Sequence, residues 1–599
     1  MIISYKRLAK TSNNMTKETQ NPEEIGESGF SLKTVSVAVF LTLFLLASSS
    51  YITLKIGALP WPIIFSVVVS GVLLNFLKIF GKKTNIHEIN VAQSGGTIGA
   101  LMAAGITFTI PGILYLKQQG VDIFLPDSIS LLLVCLAAGI LGILLSLPMR
   151  RILIDEENLP YPSGKAGAEI IKAGASGGRN AFLVVISGLF IGLFVLLRES
   201  YFPVGFVLFS ALSIHLFFYP MPLAIGVGYI LGKRTSFNWF LGALIGWVII
   251  IPFLVGVLGF EEKNASSLVQ NLGMGMVLGT GIGFFLTTLA PKTKKIFLPF
   301  FNLQGPWYTK LILPMSLISI FILHFVGVPF LASILAVIGA GVMSMVAART
   351  TGETDIDPLE QFGIIVGLIT IFFYAFLNLN LGYLPAFIII CFVSIVCALA
   401  GDIGHDYKGA KIIGTKPIDI FKCDLVCALF AALFAPFVLN LILKNYKNLI
   451  FTEMMPAPQS QLVAGSISGF SYPGAFYFGF LLALFFVVFQ RLKKKEMPFL
   501  PMVFGIGLFL GLTLGLLLFI GGLIGYLIER KFSNLSYPGI LVAAGIMGGE
   551  GIIGFSLAAF RVLGLDYMLT IKYLIFSLLV LIPITIYFGK KKTNLLCQS

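Results

Sequence analysis

The sequence predicts an all-α polytopic membrane protein. Three observations predict it. Apolar residues fill 57% of the 599 positions and charged residues only 11%, the apolar positions form long continuous runs, and the basic residues cluster between those runs. A soluble domain carries roughly 25% charged residues, and a helix needs about 20 apolar residues to cross the hydrocarbon. Continuous rather than alternating runs exclude a β-barrel.

Residues 1–34 are polar, with Asn13, Asn14, Glu23, Glu24 and Glu27 among them. They lack the basic patch and short apolar core of a secretory signal, so they read as a disordered cytosolic tail before an uncleaved first span. Predicted spans run Val35–Tyr51, Leu59–Ile79, Ile89–Leu116, Ile129–Leu147, Phe182–Leu197, Val204–Tyr219, Phe240–Phe260 and Gly273–Ala290. They continue as Leu311–Phe330, Ile334–Ala348, Ile364–Leu377, Leu384–Ala400, Val426–Leu443, Phe476–Phe489, Met502–Leu527, Ile540–Phe560 and Tyr573–Tyr587. Gly and Pro break several, which leaves about 14 to 18 crossings. The predicted division is a transmembrane half over 35–290, a second over 291–589 and a cytosolic tail over 590–599.

The formal charge is +14. Basic residues mark the cytosolic ends of spans. Lys6, Arg7, Lys10, Lys17 and Lys33 in the tail, Lys82 and Lys83, Arg150 and Arg151, and Lys590 to Lys592 place both termini in the cytosol, hence an even number of spans. Such short clusters do not suit nucleic-acid binding. Cys135, Cys391, Cys397, Cys423 and Cys427 lie in or beside apolar runs and read as packing residues. Cys423 and Cys427 could share a helix face, but a metal site needs further ligands, and no metal or cofactor is expected.

The chain repeats itself. Glu88-Ile89-Asn90 precedes Gln93 and Gly96, and Asp355-Ile356-Asp357 precedes Glu360 and Gly363 at the same spacing. Later in each half stands a Pro-x-Pro element: Leu159-Pro160-Tyr161-Pro162 with Ala168, then Met455-Pro456-Ala457-Pro458 with Ala464. Transporters are often built from repeats with the substrate between them. Whether these are parallel or inverted stays open.

Ionisable and polar groups inside spans are functional candidates. His87 and Glu88 open the third span, and Asn90 and Gln93 share a helix face before the glycines 95, 96, 99 and 105. That opening is either a helix cap or a polar cluster on a substrate path. Tyr161 sits between two prolines that force an extended entry, and Lys165 and Glu169 beyond it can pair. Gly226-Val227-Gly228-Tyr229 reads as a broken helix with its tyrosine hydroxyl in the pathway. Glu550 has apolar neighbours on both sides. A lone carboxylate there would hold a proton unless paired, which suits a proton carrier; packing against a helix N-terminus is the alternative.

Enzyme readings fare poorly. His87-Glu88 lacks the second histidine of a zinc protease, since Val91 stands in its place. Leu399-Ala400-Gly401-Asp402 only partly matches the Gly-x-Gly-Asp element of intramembrane aspartyl proteases. No phosphate-cradling ATPase loop is present.

Taken together, these clusters resemble the oligopeptide transporter family. The resemblance rests on Asn85 to Gln93 with Phe108-Thr109-Ile110-Pro111, on Leu159 to Pro162 with Ala166 and Glu169, and on Gly226 to Ile230. Thr354-Asp355-Ile356-Asp357-Pro358, Gly401-Asp402 with Asp406 and Lys408, Ala457-Pro458-Gln459 and Gly549-Glu550 complete it. The flavour is that of the bacterial branch, related to yellow-stripe metal-chelate carriers. The resemblance implies about 16 transmembrane helices in two related halves with broken half-helices. It also implies a secondary carrier in the cytoplasmic membrane, a proton symporter for small peptides or peptide-like ligands. A metal-chelate or siderophore importer of the same fold is the alternative, with an intramembrane protease or a channel more remote. Departures at Ser94-Gly95-Gly96, Ser163, Lys165 and His405 bear on substrate identity. The expected substrate-path residues are Glu88, Asn90, Gln93, Tyr161, Tyr229, Asp355 and Asp357. The expected proton carriers are Glu550, Glu169 and Asp402. The oligomeric state is open, a dimer included.

Overall fold

The computed structural model describes residues 26–57, 59, 62–77, 84–172, 179–201, 206–211, 213–218, 220–284, 286–287, 310–354, 357–452, 455–493 and 498–562. The fold is all-α and polytopic. In hydrocarbon every backbone N–H and C=O needs an internal partner, so the apolar runs close into helices. Among the described residues, eleven helices are long and apolar enough to cross a bilayer.

The first half contains α1 (Leu32–Ile56), α2 (Pro62–Leu77), α3 (Ile86–Thr107), α4 (Gly112–Gln118), α5 (Ser128–Arg150), α6 (Pro162–Lys172), α7 (Arg179–Tyr201), α8 (Pro222–Leu244), α9 (Ile251–Gly256) and α10 (Glu262–Phe284). The second contains α11 (Ile312–Phe325), α12 (Phe330–Thr354), α13 (Leu359–Phe376), α14 (Tyr383–Ile413), α15 (Pro417–Asn445), α16 (Pro458–Ser468), α17 (Pro473–Lys493), α18 (Pro501–Leu510), α19 (Leu512–Lys531) and α20 (Ser536–Val562).

Burial identifies the centre. The apolar windows of α3 and α14 are 94% and 89% enclosed, against 28% for the α8–α9 run and 22% for α17. Helix α3 packs on α1, α14 and α15, and α14 also holds α5, α6, α12 and α13. Glycine permits the closest approach: a side chain at Gly99 would collide with the Thr42 carbonyl of α1. Small residues at such crossings let helix backbones touch without a hydrophobic driving force.

The two Pro-x-Pro elements fold alike. Helices α6 and α16 are each 11 residues long and begin at the second proline. The residue before each, Tyr161 (φ 41°) and Ala457 (φ 45°), takes the left-handed conformation. Proline presets the first helical turn, whereas a left-handed tyrosine or alanine costs energy. The same strained entry at both positions supports a duplication.

Three expectations on described residues need correction. The span expected at Val204–Tyr219 is instead an antiparallel strand pair, Phe206–Ala211 with Ile214–Phe218. The run is apolar but too short to cross, and its β-branched and aromatic residues suit a strand. The break expected at Gly226 to Tyr229 falls later, at Gly232 (φ 75°). Residues 26–31 are ordered rather than free: Asp419 accepts bonds from Ser28 Oγ (2.6 Å) and the Gly29 and Phe30 amides (3.0 and 3.3 Å). The Tyr573–Tyr587 span, Cys597 and Asp355 lie outside the described residues.

Candidate functional site

The polar opening of α3 serves two purposes. Asn85 and Glu88 form a capping box. Glu88 Oε2 accepts from the Asn85 amide at 3.1 Å and lies 3.0 Å from Lys33 Nζ, which ties α3 to α1. Glu88 is therefore a cap and an anchor. Asn90 and Gln93 face inward and are buried. Asn90 Nδ2 donates to Thr415 Oγ1 at 3.2 Å, and Gln93 Nε2 donates to Asp406 Oδ1 at 2.8 Å. Ser94 Oγ donates to Asp424 Oδ1 at 2.8 Å, and Thr97 Oγ1 to Asp406 Oδ2 at 3.3 Å. One face of α3 thus lays amide and hydroxyl donors against two buried carboxylates of α14 and α15. Gln93 Oε1 and Asp424 Oδ2 keep no hydrogen-bond partner, so this seam has capacity left for a polar ligand or water.

Tyr161 sits where α6 meets α14. Its hydroxyl donates to the Ala348 carbonyl at 2.6 Å, and its ring meets the edge of His405 at 5.3 Å. His405 Nδ1 accepts from the Gly164 amide at 3.3 Å. Lys408 Nζ donates to Asn158 Oδ1 (2.9 Å) and the Leu159 carbonyl (2.7 Å), fastening the extended entry to α6. His405, a departure from the family pattern, is therefore built into this junction. Lys165 and Glu169 point outward: both are exposed, with 3.9 Å between their charged atoms. Tyr229 is remote from the seam, and its hydroxyl donates to the Ser536 carbonyl at 3.3 Å.

Two carboxylates contrast. Glu550 is fully buried but not alone. Arg198 Nη1 donates to its Oε1 at 2.8 Å, Lys55 Nζ lies 3.7 Å from that oxygen, and the Leu223 amide donates to Oε2 at 2.8 Å. It combines ion pairing with the cap of α8, as the packing alternative required. Asp357 stands between α12 and α13, close enough to Asp402 and Glu360 for like charges to interact. Neither of its carboxylate oxygens has solvent contact or a hydrogen-bond partner.

Sequence reasoning passed over Lys55, Arg198, Thr351 and Asp424. Lys55 and Arg198 each close a long apolar run, and a charge at that place was the available signal. Asp424 lies one residue past Cys423, and nothing local distinguishes it from an end-of-helix acid. Among the described residues, no three His, Cys, Asp or Glu side chains are grouped to hold a metal ion.

The family model described as OPT oligopeptide transporter protein matches residues 30–289 and 291–561. The chain belongs to the oligopeptide transporter family. Members are transporters, so the protein is a membrane transporter and not an enzyme. It is 27% identical over 210 residues to the "Putative oligopeptide transporter" of Haemophilus influenzae; that alignment covers 34% of this chain and 32% of the relative. It is 24% identical over 488 residues to the "Probable metal-nicotianamine transporter YSL13" of Oryza sativa subsp. japonica, covering 69% of this chain and 67% of the relative. The "Probable metal-nicotianamine transporter YSL16" of the same plant is 23% identical over 492 residues, covering 70% and 72%.

Proposed function

We propose that this family member is a secondary carrier that imports small peptides or peptide-like ligands across the cytoplasmic membrane, driven by the proton gradient, with both termini in the cytosol. The observation that carries the reading is the α3 seam. Asn90 and Gln93 present amides at the buried centre of the bundle, with the half-helix α6, which begins in a strained entry, packed beside α3. Backbone and amide groups of that kind suit a ligand rich in amides and carboxylates. Of the three expected proton carriers, Asp402 is the best placed, half-buried beside Asp357 with Glu360, Tyr161 and Arg349 in its surroundings. Glu169 is exposed, and the charge of Glu550 is already compensated by side chains.

A second reading, a metal-chelate importer, is favoured by the two rice relatives, whose alignments cover more of this chain than the bacterial one. Uptake of labelled peptides and of iron–chelator complexes into proteoliposomes, each with and without a pH gradient, separates the two. Saturable peptide uptake that collapses with the gradient supports the first reading, and chelate-only uptake supports the second. Uptake that neither saturates nor responds to pH would indicate a channel and overturn both.

A further inference from the structure

The α3 seam is short of hydrogens. Its acceptors are the carboxylate oxygens of Asp406 and Asp424 and the amide oxygen of Gln93. Gln93 Nε2 and Ser94 Oγ each give the acids one bond, at 2.8 Å. The Thr97 hydroxyl is divided, with the Ser94 carbonyl at 2.7 Å and Asp406 Oδ2 at 3.3 Å. Asp424 Oδ2 and Gln93 Oε1 receive nothing. Gln93 is not an acid, is 3% exposed and is held against Asp406, so its orphan oxygen marks the shortage independently of the acids. A buried acceptor without a donor is costly.

The seam also gathers negative charge. Asp406 and Asp424 are buried and close enough for their charges to interact, with Ser94 in reach of both. Among the described residues neither acid makes an ion pair. The titratable groups on the surrounding elements are engaged elsewhere or turned away. On α3, Glu88 pairs with Lys33 of α1, and His87 meets Thr415 and Glu27. On α14, His405 and Lys408 hold the entry to α6. On α15, Asp419 holds residues 28–30, and the Cys423 and Cys427 thiols bring no positive charge. Arg150 of α5 pairs with Asp155 at 2.6 Å, and Lys165 and Glu169 of α6 are exposed.

We propose that Asp406 and Asp424 share one transported proton within the α3 seam, and that Gln93 links its binding to that of the substrate. The inference rests on the proton-driven carrier reading. Two neighbouring acids away from water do not readily ionise together. One proton on the pair removes one charge and adds one hydrogen, and it needs no cavity. A water molecule would add hydrogens but leave both charges. Asp402, the best placed of the expected carriers, stands one turn earlier on α14; Asp406 and Asp424 differ from it in lying within the seam assigned to the substrate. A ligand that draws the Gln93 amide away from Asp406 removes a donor that favours the charged form. Substrate and proton then strengthen each other's binding, as symport requires, and the linkage is reciprocal.

The test begins with infrared difference spectra of the full-length protein in detergent across a pH titration, without substrate. A protonated carboxylic acid band is expected, lost in Asp406→Asn and in Asp424→Asn alike, and no further reduced in the double variant. Asp402→Asn should leave that band in place. Ser94→Ala keeps both acids, so it guards against misfolding of the asparagine variants, and should displace the pH at which the band disappears by about one unit. Separate bands lost by the two variants, a band that survives both, or a titration unmoved by Ser94→Ala overturns the shared proton. Uptake of labelled peptides and of iron–chelator complexes into proteoliposomes then reads the coupling. Asp406→Asn and Asp424→Asn should abolish gradient-driven uptake and keep substrate exchange at equal pH. Variants that remain gradient-driven like the parent overturn this proposal alone. A parent whose uptake ignores the gradient overturns the carrier reading, and the transport of this proton with it.

Discussion

Glu550 and Asp357 are both acidic residues in an apolar bundle, and the fold treats them in opposite ways. Around Glu550 it gathers a guanidinium, an ammonium and a helix-capping amide from three other elements. Around Asp357 it gathers two more acids, and neither carboxylate oxygen has a hydrogen-bond partner. The first carboxylate is compensated by the protein's own groups, and the second is not. An intramembrane carboxylate is a functional candidate by default, and what separates the two is whether the protein itself supplies the counter-charge.

The largest expected effect tests that contrast directly. Removing one member of a buried ion pair strands the others, which costs about 3–5 kcal/mol. Glu550→Gln should therefore lower the unfolding temperature sharply, and Glu550→Gln with Arg198→Gln should recover part of the loss. Asp357→Asn should leave stability unchanged or raised, because it deletes an uncompensated charge. A neutral Glu550→Gln paired with a damaging Asp357→Asn would reverse the comparison.

The α3 seam lies between these extremes, since its carboxylates have donors but not all of its polar atoms are satisfied. Gln93→Ala removes the 2.8 Å donor to Asp406, and leaving a buried polar group unpaired costs roughly 1–3 kcal/mol. We expect Asn90→Ala and Gln93→Ala to weaken apparent substrate affinity on the order of tenfold while the protein stays folded, read from the concentration dependence of uptake. Unchanged affinity with a lowered unfolding temperature would make the seam scaffold.

How much of this was readable in the chain depends on how local each cause is. Most spans were legible because hydrocarbon demands helices from any long apolar run. The strand pair at 206–218 was misread because the run is apolar without being long enough, and composition alone does not register that shortfall. The Pro-x-Pro half-helices were legible from the prolines, but the left-handed Tyr161 and Ala457 were not, since neither is glycine. The polar face of Asn90 and Gln93 followed from helical spacing, whereas their partners Thr415 and Asp406 did not. Glu550 stood out for its apolar neighbours, but the sequence left its pairing open, because Arg198 stands 352 positions earlier. Pairings over such distances are properties of the fold, and a local pattern holds no trace of them.

A smaller effect is expected at Tyr161. Its hydroxyl makes one 2.6 Å bond to the Ala348 carbonyl, and a typical net hydrogen bond contributes about 0.5–1.5 kcal/mol. Tyr161→Phe keeps the ring against His405 and should cost about that much in thermal unfolding, with transport retained. Loss of transport at normal stability would place the hydroxyl on the substrate path instead.

The smallest effect comes from a carboxylate in water, which isolates burial as the variable. Asp127 precedes α5 and, like Glu550, is well supplied with donors: Ser130 Oγ at 2.6 Å, the Ser130 amide at 3.0 Å and the Ile129 amide at 3.1 Å. Unlike Glu550 it is exposed. Asp127→Ala should therefore cost only about 1 kcal/mol, the usual contribution of a helix N-cap, well below Glu550→Gln. The Ser130 hydroxyl first, then the backbone amides, hold the Asp127 carboxyl below the usual carboxylate range. A group with a depressed folded-state pKa adds stability above its unfolded value, near ~3.9, and loses it as the pH falls through the folded value. The gap in unfolding temperature between the parent and Asp127→Ala should thus be constant at neutral pH and narrow once the pH drops below about 4. A gap that stays constant through that range would mean that the cap does not depend on charge. A gap as large as that of Glu550→Gln would mean that burial is not what separates the two carboxylates.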